Sequence, residues 1–233
     1  MSVEHNCDAD SKEPIDPTER AETVRKVGHD LRNKLSVMRN SVYYLNMKVG
    51  GQDPKVAKHL GILGAEIETS TRTVCYLMDY LHPKAPVPAC VDINDLIRGV
   101  MADCGNSGIV VVWQLAADLQ VLADATQMHS VIETLWTYER ATLRSGDRLR
   151  ILSRRERAGL LVEWIDSGPG LSARAAAVLC EPLSDSGTSS LGLGMCVARQ
   201  AVLRNGGGWQ VESREGIGTR ISLRLPPAAG EAS

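Results

Sequence analysis

The chain has 233 residues, of which 43% are hydrophobic and 23% charged, enough for one large soluble domain or two modest ones. A formal net charge of -2 without a block of either sign excludes a nucleic-acid footprint, and no window approaches the ~20 consecutive apolar residues that span a bilayer. Six cysteines, none with CxxC spacing, signal neither a zinc site nor a redox motif and fit a reducing, cytoplasmic compartment.

In chain order, residues 1–16 are polar and acidic and read as a disordered tail. They lack the basic and apolar regions of a signal peptide. Asp16-Pro17-Thr18-Glu19 then reads as a helix start, with acidic groups at the positive end of the dipole. Val24, Val27, Leu31, Leu35, Met38, Val42 and Leu45 recur at steps of three and four, which predicts a long amphipathic helix. Gly50-Gly51-Gln52-Asp53-Pro54 interrupts it as a loop. A second seam follows in Val56, Leu60, Leu63, Ile67, Ser70, Val74, Leu77 and Leu81, close to coiled-coil spacing. Two such helices form an antiparallel hairpin over 17–85, and one hairpin cannot cover both of its own stripes. Pairing of two copies into a four-helix bundle is the economical solution, so a homodimer is expected.

Residues 82–90 carry three prolines, and the linker is placed at 86–90. Beyond it, 91–229 reads as a second domain. VDINDLIRGVMADC is a capped helix, IVVVWQL and LQVLAD are short strands, and Ala125 to Leu143 is a helix. LRILSRRERAGLLVEWID is a hairpin whose Arg154-Arg155-Glu156-Arg157 run is a solvated turn. ARQAVLRNGG is a helix closed by glycine, and GGWQVESREGIGTRISLRLP is a final hairpin. The fold class is therefore α+β: a helical hairpin followed by an α/β sandwich.

In the first helix stands Gly28-His29-Asp30-Leu31-Arg32-Asn33-Lys34-Leu35. With Val24 and Leu31 at position a of a heptad, His29 falls at f, facing outward. Asp30 adjoins it, and Asn33 lies one turn on along the same face. A carboxylate that takes the proton of one imidazole nitrogen leaves the other as a nucleophilic lone pair. The segment resembles the H-box of two-component histidine kinases, His-Glu/Asp-Leu-Arg-Asn/Thr-Pro-Leu. The resemblance implies that His29 accepts the γ-phosphoryl group of ATP and passes it to an aspartate of a response-regulator receiver domain. It also implies that Asp30 activates His29 and that Asp30 and Asn33 support dephosphorylation of the regulator. Lys34 replaces the usual proline, which removes a helix kink.

The second domain carries Asp166-Ser167-Gly168-Pro169-Gly170 after an apolar strand, Leu191-Gly192-Leu193-Gly194-Met195 opening a helix, and Gly216-Ile217-Gly218-Thr219 before a strand. Order and spacing resemble the ATP-binding domain of the same family, of the gyrase type. The resemblance implies that Asp166 bonds the adenine amino group and that Thr219 lies near the base. Gly168 and Gly170 then allow close backbone approach, and Gly192 and Gly194 offer N–H groups to phosphate at a helix N-terminus.

The family's N-box, Asn-Leu-x-x-Asn-Ala after Asp-x-x-Gln, is only half present. Asp124-Ala125-Thr126-Gln127 is there, but the box reads Thr134-Leu135-Trp136-Thr137-Tyr138-Glu139. The second asparagine normally ligates a bridging Mg²⁺, and Tyr138 is a poor ligand for a hard cation. Glu133 and Glu139 are nearby, but each neighbour on a helix is turned by about 100°, so neither is assigned as a substitute. Trp136 and Tyr138 read as packing groups. The lid has Cys180-Glu181-Pro182-Leu183 where the family has a Phe-x-Pro-Phe motif, followed by a short stretch from Ser184 to Ser190. Two functions compete. One is a soluble histidine kinase using ATP and Mg²⁺, fed by a separate sensor protein. The other is an ATP-independent histidine phosphotransferase or pseudokinase. The persistence of the adenine-contacting boxes tilts the sequence reading toward the kinase.

Overall fold

In the computed structural model, residues 17–51, 53–102, 104–117, 119–157, 159–181 and 190–228 are described. The acidic tail expected to be disordered (1–16) and most of the Ser/Gly-rich lid stretch (182–189) lie outside the described residues. The chain divides into two compact units, Met1–His82 and Pro83–Ser233.

The first unit is a hairpin of α1 (Pro17–Val49) and α2 (Pro54–Leu81). With Lys34 in the proline position, α1 runs unbroken through the H-box-like segment. At the turn, Asp53 caps α2 by accepting from the Lys55 N–H at 2.7 Å, and Pro54 stands at the first helical position, where no N–H is needed. Gly28 is buried against Met78, into which a Cβ at that position would run. The glycine therefore lets the two helices approach one turn from the hairpin's open end. Much of the predicted seam is uncovered in a single hairpin. Val27 is 51% and Met38 53% exposed, with Leu31, Leu45, Leu63 and Leu77 also exposed.

The second unit opens with β1 (Ala89–Asp92), which pairs antiparallel with β3 (Gln120–Ala123). Its first two residues come from the stretch read as linker. Asp92 then caps α3 (Ile93–Val100), accepting from Asn94 and Asp95 N–H. After a 3-10 turn at Cys104–Ser107, β2 (Val110–Leu115) enters the main sheet. The sheet holds five strands in the order β2-β4-β5-β7-β6, where β4 is Arg148–Glu156, β5 Gly159–Asp166, β6 Gly208–Arg214 and β7 Gly218–Leu225. All its ladders are antiparallel except β2 on β4, which is parallel.

Alternation along the strands sorts the sheet into two faces. Leu149, Ile151, Leu160, Val162, Trp164, Ile221, Leu223 and Leu225 are all buried on one face. That face packs with α4 (Ala125–Thr142), which lies against α3 and α6 (Ser190–Arg204). The opposite face carries Arg150, Glu163, Glu212, Arg220 and Arg224, with Arg220 bridging Glu163 and Glu212. A short helix, α5 (Ala173–Val178), capped by Ser172, was not anticipated. The observed fold is thus the expected helical hairpin followed by an α/β sandwich of helices on one sheet face.

Candidate functional site

On α1, His29 and Asp30 have side-chain exposures of 68% and 61%, so heptad position f does face outward. Asp30 Oδ1 lies 3.7 Å from His29 Nδ1, and Asn33 Nδ2 lies 3.3 Å from the same nitrogen. The two neighbours favour opposite tautomers. Asn33 donating its amide N–H needs a lone pair on Nδ1, whereas Asp30 favours Nδ1–H and leaves the lone pair on Nε2. Either way both groups converge on Nδ1, and Nε2 points away from them. The arrangement is local: residues i, i+1 and i+4 of one helix supply all of it.

The second cluster is built across the ATP-binding-like unit. Period two along β5 puts Asp166 on the same face as Val162 and Trp164, and Thr219 follows from the same parity on β7. Asp166 Oδ1 accepts from the Gly168 N–H at 2.7 Å, and Oδ2 accepts from the Thr219 N–H at 3.0 Å. The Thr219 hydroxyl is 2.9 Å from that of Ser213. Asp166 is 9% exposed. Burial pushes its carboxyl up from the ordinary range, and the Gly168 and Thr219 hydrogen bonds pull part of the way back.

The glycines around this carboxylate are required by the backbone itself. Gly170 has φ +62 and Gly218 φ +132. A Cβ on Gly218 would strike the Asp166 carbonyl, and one on Gly170 the Arg214 carbonyl. A Cβ on Gly168 would press on Leu143 and on Asp166 Oδ1. Gly192 and Gly194 are buried near the start of α6; Gly192 lies in the first turn, where backbone N–H groups lack intrahelical partners, and Gly194 just beyond it.

Asp124 and Gln127 have a positioning role. Asp124 accepts from the N–H of Gln127 and of Val87, and these bonds hold its carboxyl below the usual range. Asn205, at the end of α6, accepts from the Asp124 N–H and donates to Gln127 Oε1. The Asp-x-x-Gln pair thereby ties the start of α4 to the end of α6.

One turn before its end, α4 brings Tyr138 and Glu139 into the same cluster. Tyr138 is 4% and Glu139 0% exposed. Burial first, and then the nearby carboxyls of Glu139 and Asp166, push the Tyr138 phenol up to about 12. Neither carboxyl oxygen of Glu139 has a hydrogen-bond partner among the described residues. Burial first, and then Asp166, push this carboxyl well above the ordinary range. Helical rotation left Glu139 unassigned as a substitute metal ligand, and its burial was not anticipated. It is buried because α4 has α3 and α6 beside it and the sheet beneath it.

A bridging Mg²⁺ takes anionic or carbonyl oxygens. A phenol is a poor ligand for a hard cation and Glu139 is wholly enclosed, and no group of three or more His, Cys, Asp or Glu side chains placed to hold a metal occurs among the described residues. The residues at the N-box positions therefore do not fit that ion. The Asp166 carboxylate, with a free lone pair on each oxygen, does fit the amino group of a purine.

Fold and cluster together define an ATP-binding domain of the gyrase type following a histidine-bearing helical hairpin. Residues 125–229 match the family described as Histidine kinase-, DNA gyrase B-, and HSP90-like ATPase. The sensor histidine kinase ZraS of Escherichia coli K12 is 25% identical over 207 residues, covering 86% of this chain and 44% of the relative. Sporulation kinase B of Bacillus subtilis is 22% identical over 211 residues, covering 88% of this chain and 49% of the relative. The structure of full-length ShkA in complex with AMPPNP has the same fold over 89% of this chain and 46% of its own, with TM-score 0.70 and 17% identity. The chain is similar to two-component sensor histidine kinases, and it spans about half the length of the curated relatives it matches. No helix among the described residues is long and apolar enough to cross a membrane.

Proposed function

We propose that this chain is a phosphoryl-transfer component of a two-component system, in which His29 receives a phosphoryl group and passes it to an aspartate of a response-regulator receiver domain. The observation that carries this is the exposed His29 with Asp30 and Asn33 both at Nδ1. With Nδ1–H turned to Asp30, the Nε2 lone pair attacks phosphorus. A P–N bond forms as the bond from phosphorus to the leaving oxygen breaks, and the oxygen keeps that electron pair. Asp30 balances the positive charge that develops on the ring. In the second step a carboxylate oxygen of the receiver attacks phosphorus, and the P–N electron pair returns to Nε2.

In the kinase reading the donor is ATP. Asp166, Gly168, Gly170 and Thr219 would hold the base, and Gly192 and Gly194 would present N–H groups to the phosphates. In the second reading the donor is another phosphorylated receiver, and the chain is an ATP-independent phosphotransferase. Buried Tyr138 at the position of the metal-ligating asparagine, with buried Glu139 beside it, favours this second reading. The uncovered seam of the hairpin supports a homodimer, since a second copy would bury Val27, Leu31 and Met38. A cytoplasmic location and a separate sensor protein complete the proposal.

The donor is tested by offering the full chain γ-labelled ATP with Mg²⁺ and, separately, labelled phospho-receiver domains. Label from ATP establishes the kinase reading. Label from receivers alone establishes the phosphotransferase. Label from neither donor overturns both.

A further inference from the structure

We propose that Ser213 is a positioning residue of the nucleotide-type site: its hydroxyl couples the end of the Asp166 loop to Thr219, so that carboxylate and threonine meet a 6-aminopurine as one unit. The inference rests on reading the Asp166 cluster as a nucleotide site and deepens it, because Ser213 stands outside every glycine box.

Three observations converge. First, Ser213 is directly opposite Thr219 in the β6–β7 ladder. Period two along β6 puts it on the same face as Val211, which packs against the core. Second, its hydroxyl contacts two separate segments. The Leu171 N–H donates to Ser213 Oγ at 2.7 Å. Thr219 Oγ1 lies 2.9 Å and the Gly218 carbonyl 3.2 Å from the same oxygen. Third, the same segments are joined along their backbones. The Gly216 N–H donates to the Pro169 carbonyl at 2.7 Å, and the Thr219 N–H donates to Asp166 Oδ2 at 3.0 Å. The Arg214 carbonyl lies where a Cβ on Gly170 would stand, so loop and turn meet with no room for a side chain between them.

These bonds divide the task. The Gly216 bond holds the middle of the loop, and the Thr219 N–H holds the carboxylate. The Ser213 hydroxyl reaches both the end of the loop and the Thr219 side chain, and so fixes one against the other. Each oxygen of Asp166 already accepts one N–H, and an ionised carboxylate only accepts. Its remaining lone pairs select a base with an amino group and reject one with an oxo group at that place. Such discrimination needs the groups held within about 0.5 Å of the productive geometry. The loop that carries Asp166 contains Gly168 and Gly170, whose backbones are permissive unless tied. Without the Ser213 hydroxyl, the Leu171 N–H loses its acceptor and the Thr219 hydroxyl is free to rotate.

The test is binding of the fluorescent nucleotide mant-ADP to the full chain, followed by displacement with ADP and with IDP, which carry an amino and an oxo group at the same purine position. Wild type is compared with Ser213→Ala, Ser213→Thr and Ser213→Cys, the last nearly isosteric but only a weak donor and acceptor. Circular dichroism melts establish that each is folded. Wild type should prefer ADP to IDP by at least about tenfold. Ser213→Ala and Ser213→Cys should reduce the preference to about threefold or less, and Ser213→Thr, which keeps the hydroxyl, should retain it. Loss of all saturable binding in folded Ser213→Ala that Ser213→Thr restores has the same meaning. A side chain that only stabilised the fold would, on removal, weaken ADP and IDP alike and leave their ratio unchanged. A ratio within about twofold of wild type in folded Ser213→Ala or Ser213→Cys overturns the proposal, and so does a Ser213→Thr that behaves like Ser213→Ala. Wild type that binds no mant-ADP overturns the nucleotide reading itself, and the role of Ser213 falls with it. Wild-type binding with an unchanged ratio in the variants overturns the role of Ser213 alone.

Discussion

The two halves of this chain keep their chemistry in opposite places. The hairpin holds His29, Asp30 and Asn33 at the surface, on one helix, where nothing in the packing depends on them. The second unit holds Asp166, Thr219, Tyr138 and Glu139 inside, where each is also part of the fold. A surface constellation can be lost or kept without consequence for stability, so its presence points to use. An interior constellation persists partly because the backbone needs it, so its glycines alone are weaker testimony to a ligand. The N-box positions carry the discriminating information, because asparagine there serves a metal and tyrosine serves packing.

If the comparison holds, substitutions in the interior cluster change stability, and substitutions around His29 change only phosphoryl transfer. The largest effect is expected at Gly218. Its φ of +132 and the Asp166 carbonyl against it should make Gly218→Ala less stable by about 3 kcal/mol in urea unfolding. A loss below about 0.5 kcal/mol would show that the loop yields and that the glycine is not structural.

Asp30→Asn should slow phosphoryl uptake by about a hundredfold with an unchanged melting temperature. An unchanged rate would remove Asp30 from the mechanism, and a large fall in melting temperature would break the contrast between the two regions.

The smallest effect is a pH dependence. Glu139 has a folded-state value well above its unfolded one, so its stabilising contribution is complete below about pH 4.5 and falls as pH rises toward the folded value. Over that window the wild type should lose stability relative to Glu139→Gln as pH rises. Denaturant melts of the two proteins from pH 5 to pH 8 measure the difference. A difference that does not change with pH would mean that Glu139 is ionised in the fold.

What was legible in the sequence follows the same division. The hairpin and the His29 cluster could be read because they depend on spacing within single helices. The β4–β5 and β6–β7 hairpins could be read because alternation and turn residues are local. Strand β1 was hidden in a proline-rich stretch because its pairing partner, β3, begins about thirty residues on, as the Asp92–Gln120 register shows. The parallel β2–β4 ladder is likewise non-local. Helix α5 has six residues and no buried side chain, so it leaves no apolar stripe to detect. Glu139 was not assigned because each neighbour on a helix is turned by about 100° from the next. Only the surroundings of α4 show that it is enclosed.

The central claim is that His29 is the phosphoryl carrier, and it is tested by exposing wild type and His29→Ala to a labelled phospho-receiver domain and to γ-labelled ATP, then probing the label's stability. The account predicts acid-labile, alkali-stable label on wild type and none on His29→Ala from any donor. Equal labelling of the two proteins, or acid-stable label on wild type, would contradict it.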